Sequence, residues 1–337
     1  ILGYAKIVRE RSIMRNLVEV GSDIVESAFS PQGKDAQQLL DESESKIFQI
    51  ADAGTSEKLG FIDIKELLPK AAQRIDDLYQ LDDPNGVTGV PSGYSDLDQK
   101  TAGLQPGDLI IIAGRPSMGK TSLALNIAEH VGMEAGLPVA IFSMEMGAAQ
   151  LTMRLLGSVG KLDQHKMRIG QLEDEDWPKL TNALGALNEA PIFIDDTAAL
   201  NIFELRAKCR RLKNKHNVGL IIIDYLQLMS AKDGKNNGNR EQEISTISRS
   251  IKEIAKELDV PIIALAQLSR SVEQRGGDKR PILSDLRESG AIEQDADIVS
   301  FIYRPDYYGF VEDESGESNF GIGEIIIAKH RNGAQGK

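Results

Sequence analysis

The stretch Gly114-Arg115-Pro116-Ser117-Met118-Gly119-Lys120-Thr121 limits what this chain can fold into more than any other. It satisfies the pattern G-x-x-x-x-G-K-[ST] at every fixed position. Before it, Leu109-Ile110-Ile111-Ile112-Ala113 is a short, continuous apolar run, the pattern of a strand buried on both faces. After it, Leu123, Ile127 and Val131 recur at helical spacing. Strand, glycine-rich loop and helix together surround a phosphate with backbone N–H groups and the positive end of a helix. In that arrangement Lys120 reaches the β- and γ-phosphates and the Thr121 hydroxyl ligates Mg²⁺. Ser117, Gly119 and Ser122 are the neighbouring candidates for nucleotide contact. The expected activity is that of a nucleoside triphosphatase.

A chain of 337 residues is long enough for about two domains on a prior of roughly 150 residues each. Its apolar content of 41% supplies a core, and aromatics at 5% make that core aliphatic. The net charge of -12 argues against a globally basic nucleic-acid binder, yet a few Lys and Arg in one strip suffice for phosphate contacts. No run of 18 apolar residues occurs, so no membrane span is expected. A single cysteine, Cys209, with no signal-peptide pattern at the start, fits a reducing compartment and predicts a cytoplasmic protein. The chain starts mid-pattern without Met and stops just after a strand-like run, so it is expected to be part of a longer protein.

Residues 1–30 read as a helix, with Ile13, Leu17, Val20 and Ile24 on one stripe. Asp35 opens a second helix carrying Leu39, Leu40, Ile47 and Ile50. Residues 1–53 are therefore expected to be the C-terminal part of a helical N-terminal domain. Residues 54–86 form a linker around an amphipathic helix (Ile64, Leu67, Leu68, Ala71, Ile75, Leu78, Tyr79), kinked or restarted at Pro69. Its stripe must be buried somewhere, either in its own domain or on a neighbouring subunit. From Val87 onward strands and helices alternate. Strands are predicted at 138–143, 191–195, 220–224, 260–266, 298–303 and 324–328, and helices at 147–159, 202–216 and 244–258. Continuous apolar strands alternating with helices predict an α/β fold with a parallel sheet covered on both faces. The acidic run 173–176 reads as first-turn acids of a helix, and the basic run Lys208–Lys215 as a solvated helix end.

Candidate catalytic groups stand at strand ends. Asp224 closes Leu220-Ile221-Ile222-Ile223, the position of the second Mg²⁺-side carboxylate in a phosphate-loop enzyme. Glu145, in Phe142-Ser143-Met144-Glu145-Met146, is placed to orient and polarise an attacking water. Gln267 ends the strand before it and offers an amide to a γ-phosphate. Lys329 and Arg331 follow the last strand as surface charge or as fingers for a neighbour's nucleotide, and His330 between them is the weaker participant. Arg270, Arg275, Lys279, Arg280 and Arg287 make residues 269–290 a basic segment close after Gln267, readable as a solvated loop or as a nucleic-acid phosphate contact. The four histidines and the cysteine show no metal-ligand spacing.

Taken together, residues 114–121, Ser143-Met144-Glu145-Met146, Ile222-Ile223-Asp224-Tyr225-Leu226-Gln227-Leu228-Met229, Asp285-Leu286-Arg287-Glu288-Ser289-Gly290 and Lys329-His330-Arg331-Asn332-Gly333 closely resemble the DnaB family of bacterial replicative DNA helicases. The resemblance covers essentially the whole chain. It implies a RecA-like ATPase domain over 87–337, its C-terminal strands missing. It also implies a homohexameric ring that hydrolyses ATP with Mg²⁺ between subunits and moves 5′ to 3′ on single-stranded DNA. By the same resemblance Glu145 is the base, Asp224 the Walker B acid, Gln267 a sensor, and Arg154 a further nucleotide contact. Lys329 and Arg331 act in trans. Arg287, Glu288 and Gly290 contact the DNA backbone, in part through main-chain N–H groups. The linker helix packs on a neighbour. Primase, a helicase loader and a clamp-loader subunit are the implied protein partners, and the location is nucleoid-associated cytoplasm. Two other readings remain open from the residues: another RecA-type or ring ATPase, and a scaffold that uses ATP only to assemble.

Overall fold

The computed structural model describes residues 2–31, 33, 35–36, 39, 43, 46–47, 50, 63–80, 86–198, 200–229, 240–312 and 316–336. The chain divides into two compact units, Ile1–Asp82 and Asp83–Lys337.

In the first unit, helix α1 (Leu2–Phe29) realises the first predicted helix. Described residues between 36 and 50 are helical, and Lys46 pairs with Asp23 of α1 at 2.8 Å. Of the predicted linker 54–86, residues 54–62 and 81–85 lie outside the described residues. Helix α2 (Ile64–Gln80) contains Pro69 in its interior, so of the two expected outcomes it does not restart there. Its apolar residues Ile64, Leu67, Leu68, Ile75 and Tyr79 are exposed.

The second unit is built on a seven-stranded sheet in the order β3-β2-β4-β5-β1-β6-β7. The strands are β1 (Leu109–Gly114), β2 (Val139–Ser143), β3 (Ile192–Asp195), β4 (Leu220–Asp224), β5 (Ile262–Gln267), β6 (Ile298–Tyr303) and β7 (Glu324–His330). All neighbouring pairs are parallel except β6 with β7. The parallel-rich sheet expected from alternation is thus present, with one antiparallel pair at the β7 edge. The described residues between β6 and β7 form the 3₁₀ turn Asp306–Tyr308 and no crossover helix, and the chain returns antiparallel.

Side chains alternate across the sheet. Leu109, Ile111 and Ala113 of β1 face one apolar layer, and Ile110 and Ile112 face the other. The helices preceding β4 come in the order α3 (Ser95–Thr101), α4 (Lys120–Met133), α5 (Ala148–Gly160), α6 (Gln164–Ile169), α7 (Asp176–Glu189) and α8 (Ile202–His216). After β4 comes α9 (Arg240–Leu258), and after β5 come α10 (Ser271–Gln274) and α11 (Gly290–Asp295). α4 and α5 contribute to the second layer, α8 and α9 to the first.

Two charge patterns differ in part from expectation. In the basic run of α8, Lys208 and Arg210 are held in ion pairs, whereas Arg211 and Lys215 are exposed as a solvated helix end would be. Lys208 holds Asp195 at 2.6 Å, Arg206 holds Glu257 at 2.5 Å, and Arg210 joins the same glutamate. Of the acidic run, only Asp176 lies in the first turn of α7, while Glu173 pairs with Lys166 of α6 at 2.5 Å. The start of α8 is a full capping box: the Asn201 side chain accepts from Phe203 and Glu204 N–H, and Glu204 accepts from Asn201 N–H. Asn201→Ala is therefore expected to destabilise this unit by about 1 kcal/mol, read as a lower denaturant midpoint at unchanged slope.

Candidate active site

The parallel register brings the predicted groups to one end of the sheet. Gly114 stands opposite Gln267, and Ser143 opposite Asp224. The carboxyl ends of β1, β2, β4 and β5 thus converge where ligands of open α/β sheets bind. After β1 the chain turns through Ser117 (φ 66°) and Gly119 (φ 95°), both left-handed, before α4 begins at Lys120. The turn directs successive backbone N–H groups inward beside the N-terminus of α4. Lys120 donates to the carbonyls of Gly114 (3.1 Å) and Arg115 (3.3 Å), closing the loop around its own ammonium group. Burial pushes the Lys120 pKa down, while the charges of Asp224 and Glu145 oppose that shift.

The Thr121 hydroxyl donates to Asp224 Oδ2 at 2.8 Å. Asp224 is buried, and its pKa is raised chiefly by that burial. A hydroxyl and a carboxylate converging beside a phosphate loop are the hard oxygen donors that suit a small divalent cation. Such a cation would also offset the cost of burying the carboxylate charge. Glu145 is exposed in the turn after β2 and acts electrostatically on Lys120 and Asp224. Two contacts fix that turn: Met144 N–H donates to the Asp224 carbonyl (2.8 Å), and Ser143 Oγ donates to the Met146 carbonyl (2.8 Å). Arg154, half-buried on α5, contributes a favourable charge to Asp224.

Gln267 closes β5, and the Gln227 amide brackets its backbone. Gln227 Nε2 donates to the Gln267 carbonyl at 3.2 Å, and Gln267 N–H donates to Gln227 Oε1 at 3.4 Å. Arg115, buried inside the phosphate loop, donates to the Leu268 carbonyl and to Glu273, each at 2.8 Å. The loop is thereby tied to the segment that leaves β5. The sequence reading missed both anchoring roles. Arg115 occupies a variable position of its motif, and Gln227 lay within a quoted motif with no role attached.

Two arginines of the basic segment after Gln267 are engaged within the fold. Arg275 pairs with Asp285 and donates to the Arg280 carbonyl at 2.9 Å. Arg280 pairs with Glu324 and Asp278, and its guanidinium lies 4.9 Å from the centre of the Tyr303 ring. These two arginines are thus engaged in intramolecular pairs, with about a third of each side chain still exposed: 32% for Arg275 and 31% for Arg280. Buried Asp285 accepts from Ile282 N–H (2.8 Å), and its carbonyl accepts from Ser269 N–H (3.1 Å). Arg287 and Glu288 follow in the 3₁₀ segment Leu283–Ser289, and Gly290 opens α11.

Lys329 and Arg331 lie at the other end of the sheet. His330 is level with Ile298, and Ile298 with Ile110. Arg331 N–H donates to the Asp297 carbonyl, one residue before β6. From that level to Gly114 is about 16 Å of strand. Burial pushes the Lys329 pKa down, and neighbouring Arg331 adds to the effect. His330 Nδ1 is buried without a hydrogen-bond partner among the described residues.

A phosphate loop at the carboxyl end of an interior strand of a mostly parallel sheet, with an acid at the end of β4 and another after β2, defines a phosphate-loop ATPase of the RecA-like type. Known proteins narrow that class. Residues 89–337 match the family described as DnaB-like helicase C terminal domain. The replicative DNA helicase DnaC of Bacillus subtilis (strain 168) is 50% identical over 334 residues, covering 99% of this chain and 71% of that protein. The replicative DNA helicase DnaB of Haemophilus influenzae is 47% identical over 340 residues, covering 100% and 71%. Among solved structures, one ATPase domain superposes with a TM-score of 0.74 at 41% identity, covering 82% of this chain and 94% of that one. A DnaB-like replicative helicase, solved in a study of its interactions with primase, gives 0.79 at 37% identity, covering 98% and 74%. The chain belongs to the DnaB-like helicase family.

Proposed function

We propose that this chain is the motor of a replicative DNA helicase: a homohexameric ring that hydrolyses ATP between subunits, moves 5′ to 3′ on single-stranded DNA and unwinds the duplex ahead. The observation that carries this reading is the split of the catalytic groups. Lys120, Thr121, Glu145, Asp224 and Gln267 share one end of the sheet, while the basic fingers Lys329 and Arg331 occupy the opposite end. Fingers so placed serve a second copy.

In this reading the loop N–H groups, with Ser117, Gly119, Lys120 and Ser122, hold the β- and γ-phosphates, and Arg154 adds a contact. Thr121 and Asp224 hold Mg²⁺, which supplies charge neutralisation between the phosphates. Glu145 accepts the proton of the attacking water. Gln267 reads the γ-phosphate from β5, and the neighbour's Lys329 and Arg331 equivalents stabilise the charge that spreads over the transferred group. Arg287, Glu288 and Gly290 contact the DNA backbone, and Ser269 and Asp285 join that segment to the strand carrying Gln267. The three-part domain division at 53 and 86 belongs to the same reading. So do α2 resting on a neighbouring subunit, contacts with primase, loader and clamp-loader subunit, and a place near the nucleoid. Among the described residues no helix is long and apolar enough to cross a membrane.

Unwinding of a forked duplex in the presence of ATP tests the reading; ATP hydrolysis with no strand displacement would sink it. Binding to a thymidine oligonucleotide is expected to weaken with salt, log K falling by about 0.7 per phosphate neutralised for each unit of log salt. A salt-independent affinity would remove the backbone-contact model.

A further inference from the structure

The two finger residues are seated on one short piece of backbone. Lys329 Nζ donates to the carbonyls of Glu293 (2.5 Å), Ala296 (2.8 Å) and Gln294 (3.4 Å). The Arg331 guanidinium donates to the Gln294 carbonyl (2.5 Å) and to Asp297 Oδ1 (3.3 Å), and its backbone N–H donates to the Asp297 carbonyl (2.9 Å). These acceptors are the last carbonyls of α11 and the residues just past it. A helix end presents unsatisfied C=O groups and negative potential there, which suits two cations. Asp295 adds a negative charge near Lys329, with one carboxylate oxygen buried and unpartnered among the described residues.

The other end of α11 is Gly290, directly after the segment assigned to DNA. Six residues of helix are about 9 Å long, so the segment and the fingers are separated by one rigid rod. Asp297 fixes the far end. It is buried, accepts from Leu109 N–H at 2.8 Å, and pairs with Lys252, which also donates to the Gly107 carbonyl at 2.7 Å. Leu109 begins the strand that ends in the phosphate loop.

We infer that Asp297 is a positioning residue for Arg331, and that α11 is the link through which the DNA-bound 285–290 segment sets the position of Lys329 and Arg331 toward the neighbouring site. This rests on the helicase reading above. Its physical content is that both cations share acceptors on one helix end. A shift of α11 under DNA moves the acceptors, and the fingers cannot stay behind without breaking charge-assisted bonds. Contact with the strand in one subunit is thereby conveyed to hydrolysis in the next.

The test is Asp297→Asn in the full chain. Asparagine keeps the shape and an acceptor for Leu109 N–H, but removes the charge that holds Arg331. The readout is the ratio of ATP turnover with saturating thymidine oligonucleotide to turnover without it. That ratio is expected to fall by about fivefold or more, with the oligonucleotide Kd within about twofold of wild type. An unchanged ratio overturns the inference. Should the variant fold poorly, hydrogen exchange on the wild-type ring decides instead, with oligonucleotide added and nucleotide left out. Protection of α11 and of the Arg331 amide is expected to change together; a change confined to 283–290 overturns the link. A wild-type ring that neither binds the oligonucleotide nor turns over faster with it would instead refute the helicase reading, which the Asp297 result alone cannot do.

Discussion

A Glu145→Gln chain is expected to bind ATP about as well as wild type and to hydrolyse it about 10²- to 10⁴-fold more slowly. Glutamine has nearly the same shape but removes the negative charge and with it the ability to take a proton. The contacts proposed to hold the nucleotide lie elsewhere, in the loop around Lys120 and at the Thr121–Asp224 pair, which among the described residues shares no hydrogen bond with Glu145. The turn bearing the residue is fixed through Ser143 and through the Asp224 carbonyl, so the exchange leaves the backbone in place. Removing a negative charge near the phosphates also favours binding, so affinity has no reason to fall. Single-turnover hydrolysis alongside nucleotide binding separates the two quantities. Hydrolysis at the wild-type rate would mean that another group prepares the water.

Arg331→Ala is expected to lower turnover further, by about 10³- to 10⁵-fold, because an arginine supplied to a phosphoryl-transfer site stabilises charge that exists only in the transition state. The more telling result comes from mixing. An Arg331→Ala chain keeps its phosphate loop, and a Lys120→Ala chain keeps its fingers. Each alone is expected to be inactive. Mixed in equal amounts and reassembled, about one quarter of the sites should pair an intact loop with a neighbour's intact arginine by random assortment around a closed ring. Activity should return to a corresponding fraction. A mixture as inactive as its components would show that Arg331 serves its own chain or only the fold.

Much of this was readable before any coordinates. Leu109–Gly114 and Leu220–Asp224 are continuous apolar runs ending in a functional residue, and both are central strands. Their burial on two faces leaves few alternatives, so local sequence was sufficient. Helix α8 begins at the residue after Asn201 because its capping box is a local device. What escaped was decided by distant partners. Nothing near Arg280 announces Glu324, and nothing near Arg275 announces a buried Asp285. A basic stretch therefore looked available for nucleic acid when two of its arginines were engaged in pairs within the fold. The short helices Ser95–Thr101 and Gln164–Ile169 give too few turns for a periodic signal. The direction of β7 goes with a connection whose described residues form no crossover helix, and a run of apolar residues does not say which way it points.

On the proposed trans reading, that reversed strand sets the kinetic order of the motor. Had β7 run with its neighbours, its basic end would face the phosphate loop of the same chain, and an isolated subunit could complete its own site. Running against them, it carries Lys329 and Arg331 away from the Gly114 end of the sheet, which on the same reading leaves each isolated chain with half of a reaction centre at either extremity. Turnover is then a property of contacts between chains. Diluted below the assembly threshold, specific activity should fall faster than concentration does, and a free subunit in the cell would leave the ATP pool untouched.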